Sequence, residues 1–383
     1  MKEGWEYKKF EEVFDLQMGK TPSRDNPSYW GDGNTWVSIA DLKTKYIDST
    51  KEEITNVAVE ESGIKLVPKG TVIMSFKLSV GKSAIAKKDL YTNEAIMAFH
   101  PKDKKVLVSD YVYYYLTGYK WKGANKAVMG MTLNKKSISS NTFAYPSIAE
   151  QKHIVSELDL LSGVIEKQKA QLEELDKLAQ SIFYEMFGDP VTNDKGLELR
   201  KLKELGELGR GVSKHRPRNA PELLGGSMPL IQTGDVSNSG MYITTYSSTY
   251  SEIGVAQSKV WLAGTLCITI AANIGNCAIL TFDACFPDSV VGFIANEKVA
   301  LKEYVYYIFE RMQSILEANA PAVAQKNINL KILDELLIPL PPLSLQQEFA
   351  SKIEAIESMK AKVRQSLSEA ETLFNSRMDY YFN

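Results

Sequence analysis

The sequence predicts an α+β chain in which two mixed helix-and-strand heads stand in tandem. Each is followed by one long helix, and the two helices form an antiparallel coiled coil within an internal pseudo-twofold repeat. Three observations carry this. The chain is written twice, at a shift that drifts only between 192 and 195 residues. Each copy ends in about forty residues whose apolar positions recur at 4,3 spacing. Ahead of those helices, short β-rich runs alternate with helical stretches, as in a packed mixed domain.

The elements follow in order. The first head (1–142) opens on Trp5-Glu-Tyr-Lys-Lys-Phe10, matched by Leu197-Glu-Leu-Arg-Lys-Leu202 in the second (197–337), with Gly19 and Gly211 after them. Gly70-Thr-Val-Ile-Met-Ser75 matches Gly264-Thr-Leu-Cys-Ile-Thr269, and Gly81-Lys-Ser-Ala-Ile85 matches Gly275-Asn-Cys-Ala-Ile279. Both pairs read as strands with a turn between them. Asp110–Leu116 matches Glu303–Phe309, with helical stretches expected near 110–118 and 303–316.

Each head gives way to a helical segment, 143–187 and 338–383. In the first, the seam is Ile154, Leu158, Leu161, Ile165, Gln168, Leu172, Leu175, Ala179, Ile182 and Met186. In the second it is Phe349, Ile353, Ile356, Lys360, Val363, Leu367, Ala370, Phe374, Arg377 and Tyr381. Such heptads pack two helices along their length, and polar seam residues such as Gln168 and Lys360 fix register. A helix of forty residues spans roughly 60 Å, which suits a spacer. Residues 188–196, Gly-Asp-Pro-Val-Thr-Asn-Asp-Lys-Gly, form a linker with the stop signals expected after a helix.

Composition narrows the class. Of 383 residues, 44% are hydrophobic and 24% charged, which excludes a disordered tail, a collagen-like fibre and a disulfide mini-scaffold. The 45 Lys and Arg nearly balance 47 Asp and Glu, so bulk charge does not bind nucleic acid, although a local basic face remains open. The start, MKEGWEYKKF, lacks the apolar core of a signal peptide, and a cytoplasmic location without membrane contact is expected. Val260–Leu280 carries no charge, but its twin 66–86 holds Lys69, Lys77 and Lys82, so it reads as strand, turn, strand. Cys267, Cys277 and Cys285 align with Ile73, Ser83 and Tyr91, and His100, His153 and His215 lie far apart, so no metal site is expected.

Charge is segregated. The two helices (148–187 and 343–382) hold 9 basic and 14 acidic residues, leaving the rest of the chain at +3. Gly209–Asn219 contains Arg210, Lys214, Arg216 and Arg218 without an acid, and its counterpart holds Lys20, Thr21, Ser23, Arg24 and Asn26. Such mixtures suit phosphates and base edges, or else a solvated loop.

Catalytic motifs fail. Asn26-Pro-Ser-Tyr29 is one residue from an adenine-methyltransferase motif but lacks a Gly-rich cofactor loop and a twin. Gly81-Lys-Ser83 ends like a P-loop, yet Phe76 stands where the motif needs glycine. Pro287-Asp288 and Glu297-Lys298 loosely resemble a nuclease signature without its spacing. The chain reads as non-catalytic.

The ordered blocks (a head, Tyr145-Pro-Ser-Ile-Ala-Glu-Gln151, a long helix, Met186-Phe-Gly-Asp-Pro190, a second head, Ile338-Pro-Leu-Pro-Pro-Leu343 with Gln346, a second helix) resemble the DNA specificity subunit of type I restriction-modification systems. Ser147 replaces a usual proline, and Leu345 the glutamate before Gln346. The resemblance implies two target-recognition domains, each reading half of a bipartite, asymmetric double-stranded DNA site. It also implies two modification (methyltransferase) subunits that use S-adenosylmethionine on adenine. Restriction (translocase/endonuclease) subunits would add ATP and magnesium chemistry, and this chain itself would hold no cofactor.

On that reading the DNA-contact candidates are Lys20, Thr21, Ser23, Arg24, Lys77, Lys82, Asn134 and Lys135 in the first head. In the second they are Lys214, Arg216, Arg218, Asn273, Asn276, Gln325, Lys326 and Asn329. Two rivals are a coiled-coil interaction adaptor that reads no DNA sequence and a self-contained methyltransferase.

Overall fold

The computed structural model describes residues 2–122, 125–127, 130–271, 274–318 and 328–383. Its chain divides into two units, one of residues 1–169 with 364–383 and one of residues 170–363.

In the first unit a five-stranded sheet carries the strands Phe14–Met18, Ile96–Pro101, Val72–Ser75, Ser83–Ala86 and Tyr46–Ile47, in that spatial order. Alternation along Val72–Ser75 decides what covers it: Val72 and Met74 face the helix Ser109–Gly118, and Ile73 faces the layer of Val37, Leu42 and Leu90. A sheet covered on both faces needs continuous apolar strands. The second unit repeats the order with Gly206–Arg210, Val290–Ala295, Leu266–Thr269, Cys277–Leu280 and Tyr242–Ile243. There Leu266 and Ile268 face the helix Lys302–Ala318 and Cys267 the opposite layer. This double coverage explains the uncharged run 260–280, whose strands lie in a core. Among the described residues no helix is long and apolar enough to cross a membrane. The three cysteines are buried, and burial pushes the Cys267 and Cys277 thiols well above their ordinary range.

The 142/143 and 337/338 divisions need adjustment. Thr142–Tyr145 pairs antiparallel with Glu6–Lys9, and Leu337–Leu340 with Glu198–Lys201, so each head closes on a strand that crosses those bounds, while the heptad seams begin only at Ile154 and Phe349. The helices start after the prolines, at Ile148–Phe187 and Leu343–Phe382. Ser147 caps the first by accepting the Glu150 amide at 3.3 Å.

Within each unit, parts of the two long helices run antiparallel. In the first, Glu157 meets Arg377, Gln168 donates to Ser366 at 2.6 Å, and Lys169 pairs with Glu371 at 2.8 Å. In the second, Asp176 meets Lys360 at 2.6 Å and Phe183 meets Phe349, rings 5.7 Å apart. From Glu157 to Gln168 the partner number falls from 377 to 366, and from Asp176 to Phe183 it falls from 360 to 349. All twenty seam positions are buried or half-buried. Lys360 is only 5% exposed, held by Asp176 and Glu357 at 2.6 Å each. Burial pulls its pKa down, but the two carboxylates outweigh that and raise it overall.

Sequence periodicity missed the residues where helix meets head. Phe183 and Phe187 are buried against Tyr304, and Met378 and Phe382 in the core with Tyr111 and Tyr115. Each lies one residue beyond a seam position, because a helix gripped by a head buries a wider stripe than a two-helix seam.

Glu157 yields an acid-sensitivity prediction. Its hydrogen bond with Arg377 holds the carboxyl below its ordinary 4.5 against the opposing effect of burial, with Tyr381 adding a second bond at 2.6 Å. A depressed carboxylate stabilises the fold above its unfolded value, and that contribution is lost as pH falls through the folded value. Glu157→Gln is therefore expected to lower stability at pH 7 and to flatten its decline below pH 4.5. Parallel curves for the two proteins in urea melts from pH 7 to 3 would exclude the effect.

Candidate nucleic-acid interface

Each candidate loop leaves the central sheet at a glycine that no other residue replaces. A Cβ on Gly19 would lie 2.2 Å from the Thr92 carbonyl oxygen, and one on Gly211 2.3 Å from that of Pro287. The backbone then bonds equivalently in both heads: Lys20 N–H donates to Thr92 at 2.8 Å and Val212 N–H to Phe286 at 3.1 Å. Beside it lies a hairpin turn, closed by Gly81 N–H to Ser75 at 3.0 Å and Gly275 N–H to Thr269 at 2.9 Å. Gly81-Lys-Ser83 is thus a turn between the strands Val72–Ser75 and Ser83–Ala86, where a P-loop feeds a helix, and it does not fit a nucleotide phosphate cradle. A third segment joins through Leu133 N–H to Phe76 at 2.8 Å, and Ile328 N–H to Ile270 at 3.0 Å. In this way residues 19–24, 77–82 and 132–135 meet at one end of the first head, and in the second the described anchors Val212, Gly275 and Ile328 make the matching backbone bonds.

The side chains there are partly engaged. Lys20 donates to the Ser62 carbonyl and Thr21 to Glu94. Ser23 lends its carbonyl to Trp30 Nε1 at 3.1 Å. Arg24 forks onto Glu52 at 2.5 and 2.9 Å and stacks 3.6 Å over the Trp30 ring. Lys82 and Lys135 are exposed, and Lys77 is half-buried over Phe76.

In the second head the Lys214 amide donates to Gln257 at 2.6 Å, leaving its exposed side chain outward. Arg216 donates to the Ser213 and His215 carbonyls at 2.6 and 2.8 Å, and lies 3.9 Å from Asp288. Arg218 pairs with Asp288 at 2.6 Å. Arg218, Asn219, Gln232, Ser248 and the buried Ser213 line a pocket of about 180 Å³, into which the Ser213 hydroxyl brings no partner of its own.

Asn134 and Asn329 take twin structural posts. Each caps a short helix, its side-chain oxygen accepting from Ser137 at 2.8 Å and Ile332 at 3.0 Å. Asn276 is half-buried in the hairpin turn, its carbonyl accepting from Thr269. Asn273, Gln325 and Lys326 lie outside the described residues. Among the described residues no group of three His, Cys, Asp or Glu is placed to hold a metal ion.

Residue patterning missed two participants. Glu94 and Asp288 hold the twin position at the shift of 194, and the sequence presented Asp288 only within a failed nuclease signature. The signal that would have found them is an acid recurring in both copies beside a basic loop.

Fold and site together define a duplicated two-headed binding protein, each head carrying a basic loop cluster at one end and a share of a paired helix. The sequence profile of the type I restriction modification DNA specificity domain matches twice, over residues 2–177 and 194–371, and the chain belongs to that family. It is 31% identical over 239 residues to the type I restriction enzyme MjaIX specificity subunit of Methanocaldococcus jannaschii, an alignment covering 57% of this chain and 54% of that protein. The chain thus spans about half the length of that relative. The type I restriction-modification S subunit crystal structure from M. genitalium shares the fold at TM-score 0.59 and 13% identity, covering 98% of this chain and 95% of that one. A chain solved for complex assembly and conformational transition of the type I R-M system also reaches 0.59, at 16% identity, covering 100% and 98%.

Proposed function

We propose that this chain is the DNA specificity subunit of a type I restriction-modification complex, each head reading one half of a bipartite double-stranded site. The observation that carries this is the twin loop cluster: one backbone scaffold in both heads, furnished with different side chains. A shared scaffold presents loops alike, and differing loops read unlike half-sites. The chain acts by positioning rather than by chemistry. Two modification subunits would supply S-adenosylmethionine for adenine methylation, and restriction subunits ATP, magnesium and cleavage, all in the cytoplasm. The acidic helices, poor ligands for DNA, would be surfaces for those proteins.

Two measurements test the reading. Methylome mapping of DNA modified by the assembled complex is expected to return a split adenine-containing motif. A complex without preference among duplexes would favour the adaptor reading instead. Replacing both Arg216 and Arg218 by alanine is expected to weaken DNA binding and to lower the slope of log K against log salt by about 0.9 for each phosphate no longer neutralised. An unchanged slope would remove these arginines from the interface.

A further inference from the structure

A carboxylate stands in each basic loop cluster, at the same position of the repeat. Asp288 takes Arg218 at 2.6 Å, lies 3.9 Å from Arg216, and lends its backbone carbonyl to Arg210 at 2.5 Å. Its twin Glu94 accepts the Thr21 hydroxyl and lies in the fields of Lys77 and Arg24. Burial would raise the Glu94 pKa, but the Thr21 bond and those cations hold it below its ordinary value, so it stays ionised at neutral pH. Neither acid maintains the sheet. Each sits where the chain passes the launching glycine, and the backbone bonds Lys20–Thr92 and Val212–Phe286 already close that junction.

A negative charge among DNA-facing cations repels phosphate, so these acids oppose affinity. What they provide is selectivity. DNA that offers only its phosphates must break the Arg218–Asp288 pair and meet the exposed carboxylate, whereas DNA with the matching base edges repays that cost through base contacts. The same charge holds Arg216 and Arg218 in one arrangement before DNA arrives, which lowers the ordering cost of the fitting complex. We infer that Glu94 and Asp288 are specificity-determining residues, one per head, each suppressing phosphate-only binding by its own half of the interface. This rests on the DNA-reading function proposed above.

The test uses the full chain assembled with its modification subunits, and three duplexes: the split target from methylome mapping, and two versions with one half scrambled. The wild-type complex is titrated first, and failure to prefer the intact target would count against DNA reading itself. With that preference in hand, Asp288→Asn is expected to tighten binding to DNA scrambled in one half by about tenfold and to leave discrimination at the other half intact. Glu94→Gln is expected to relax the opposite half. Asp288→Glu, which keeps the charge, should retain most of the wild-type discrimination. The inference is overturned if discrimination is unchanged in both variants, if both relax the same half, or if affinity falls equally for all three duplexes together with a lowered melting temperature.

Discussion

Phe349→Ala is expected to destabilise the second unit by about 3–5 kcal/mol, the range for truncating a fully buried aromatic. Phe349 is 0% exposed, with rings of Phe183, Phe187 and Tyr307 at 5.7, 5.2 and 5.1 Å. It therefore joins one long helix, the other and the head at a single point. Alanine removes the ring, and neighbours rooted on three elements cannot all close on the void. At about 2–4 °C per kcal/mol for a unit of this size, melting should fall by roughly 6–20 °C. Leu373→Ala, at a site 50% exposed outside the seam, should change stability by less than about 0.5 kcal/mol. Equal destabilisation by the two substitutions in denaturant melts would show that the head does not grip its helix through Phe349.

Nearly as large an effect is expected from a glutamine in each copy. Gln151 and Gln346 are both 0% exposed at the first turn of the long helices. Gln151 accepts from the Val108 amide at 2.9 Å and donates to the Val106 and Pro146 carbonyls at 2.8 and 2.9 Å. Gln346 accepts from Leu301 at 2.9 Å and donates to Val299 and Pro341 at 3.2 and 2.9 Å. Each side-chain amide thus bonds the loop before a head helix to the start of a long helix. Leucine of similar size would leave three backbone polar groups without partners, and an unpaired buried group costs about 1–3 kcal/mol. Gln151→Leu and Gln346→Leu should each cost about 2–5 kcal/mol, with glutamate substitution as damaging because it loses both donors. A change under about 0.5 kcal/mol in urea unfolding would mean that water replaces the amide.

These glutamines show how much was legible. The sequence marked Gln151 and Gln346 as a recurring block, because repetition is visible without a fold. That they are buried latches was not, since the Val106 and Val299 carbonyls they bind lie about 45 residues away. The heptad was legible because its repeat is local, whereas Phe183, Phe187 and Met378 were missed because their burial comes from a head packing on the helix. The loops of both heads were legible as basic, but the grip of Asp288 on Arg218 and of Glu52 on Arg24 was not.

By itself, then, the sequence determined the duplication, the two helices with their pairing positions, and the loops bearing positive charge. Each of these is written in periods or in short runs. Only the tertiary structure decided that the apolar strands are covered on both faces, that each head closes on its last strand, and that Glu52 and Glu94 in one head and Asp288 in the other engage the basic loops. The physical reason is common to all three: burial and ion pairing depend on distance in space, and the partners stand tens of residues apart along the chain.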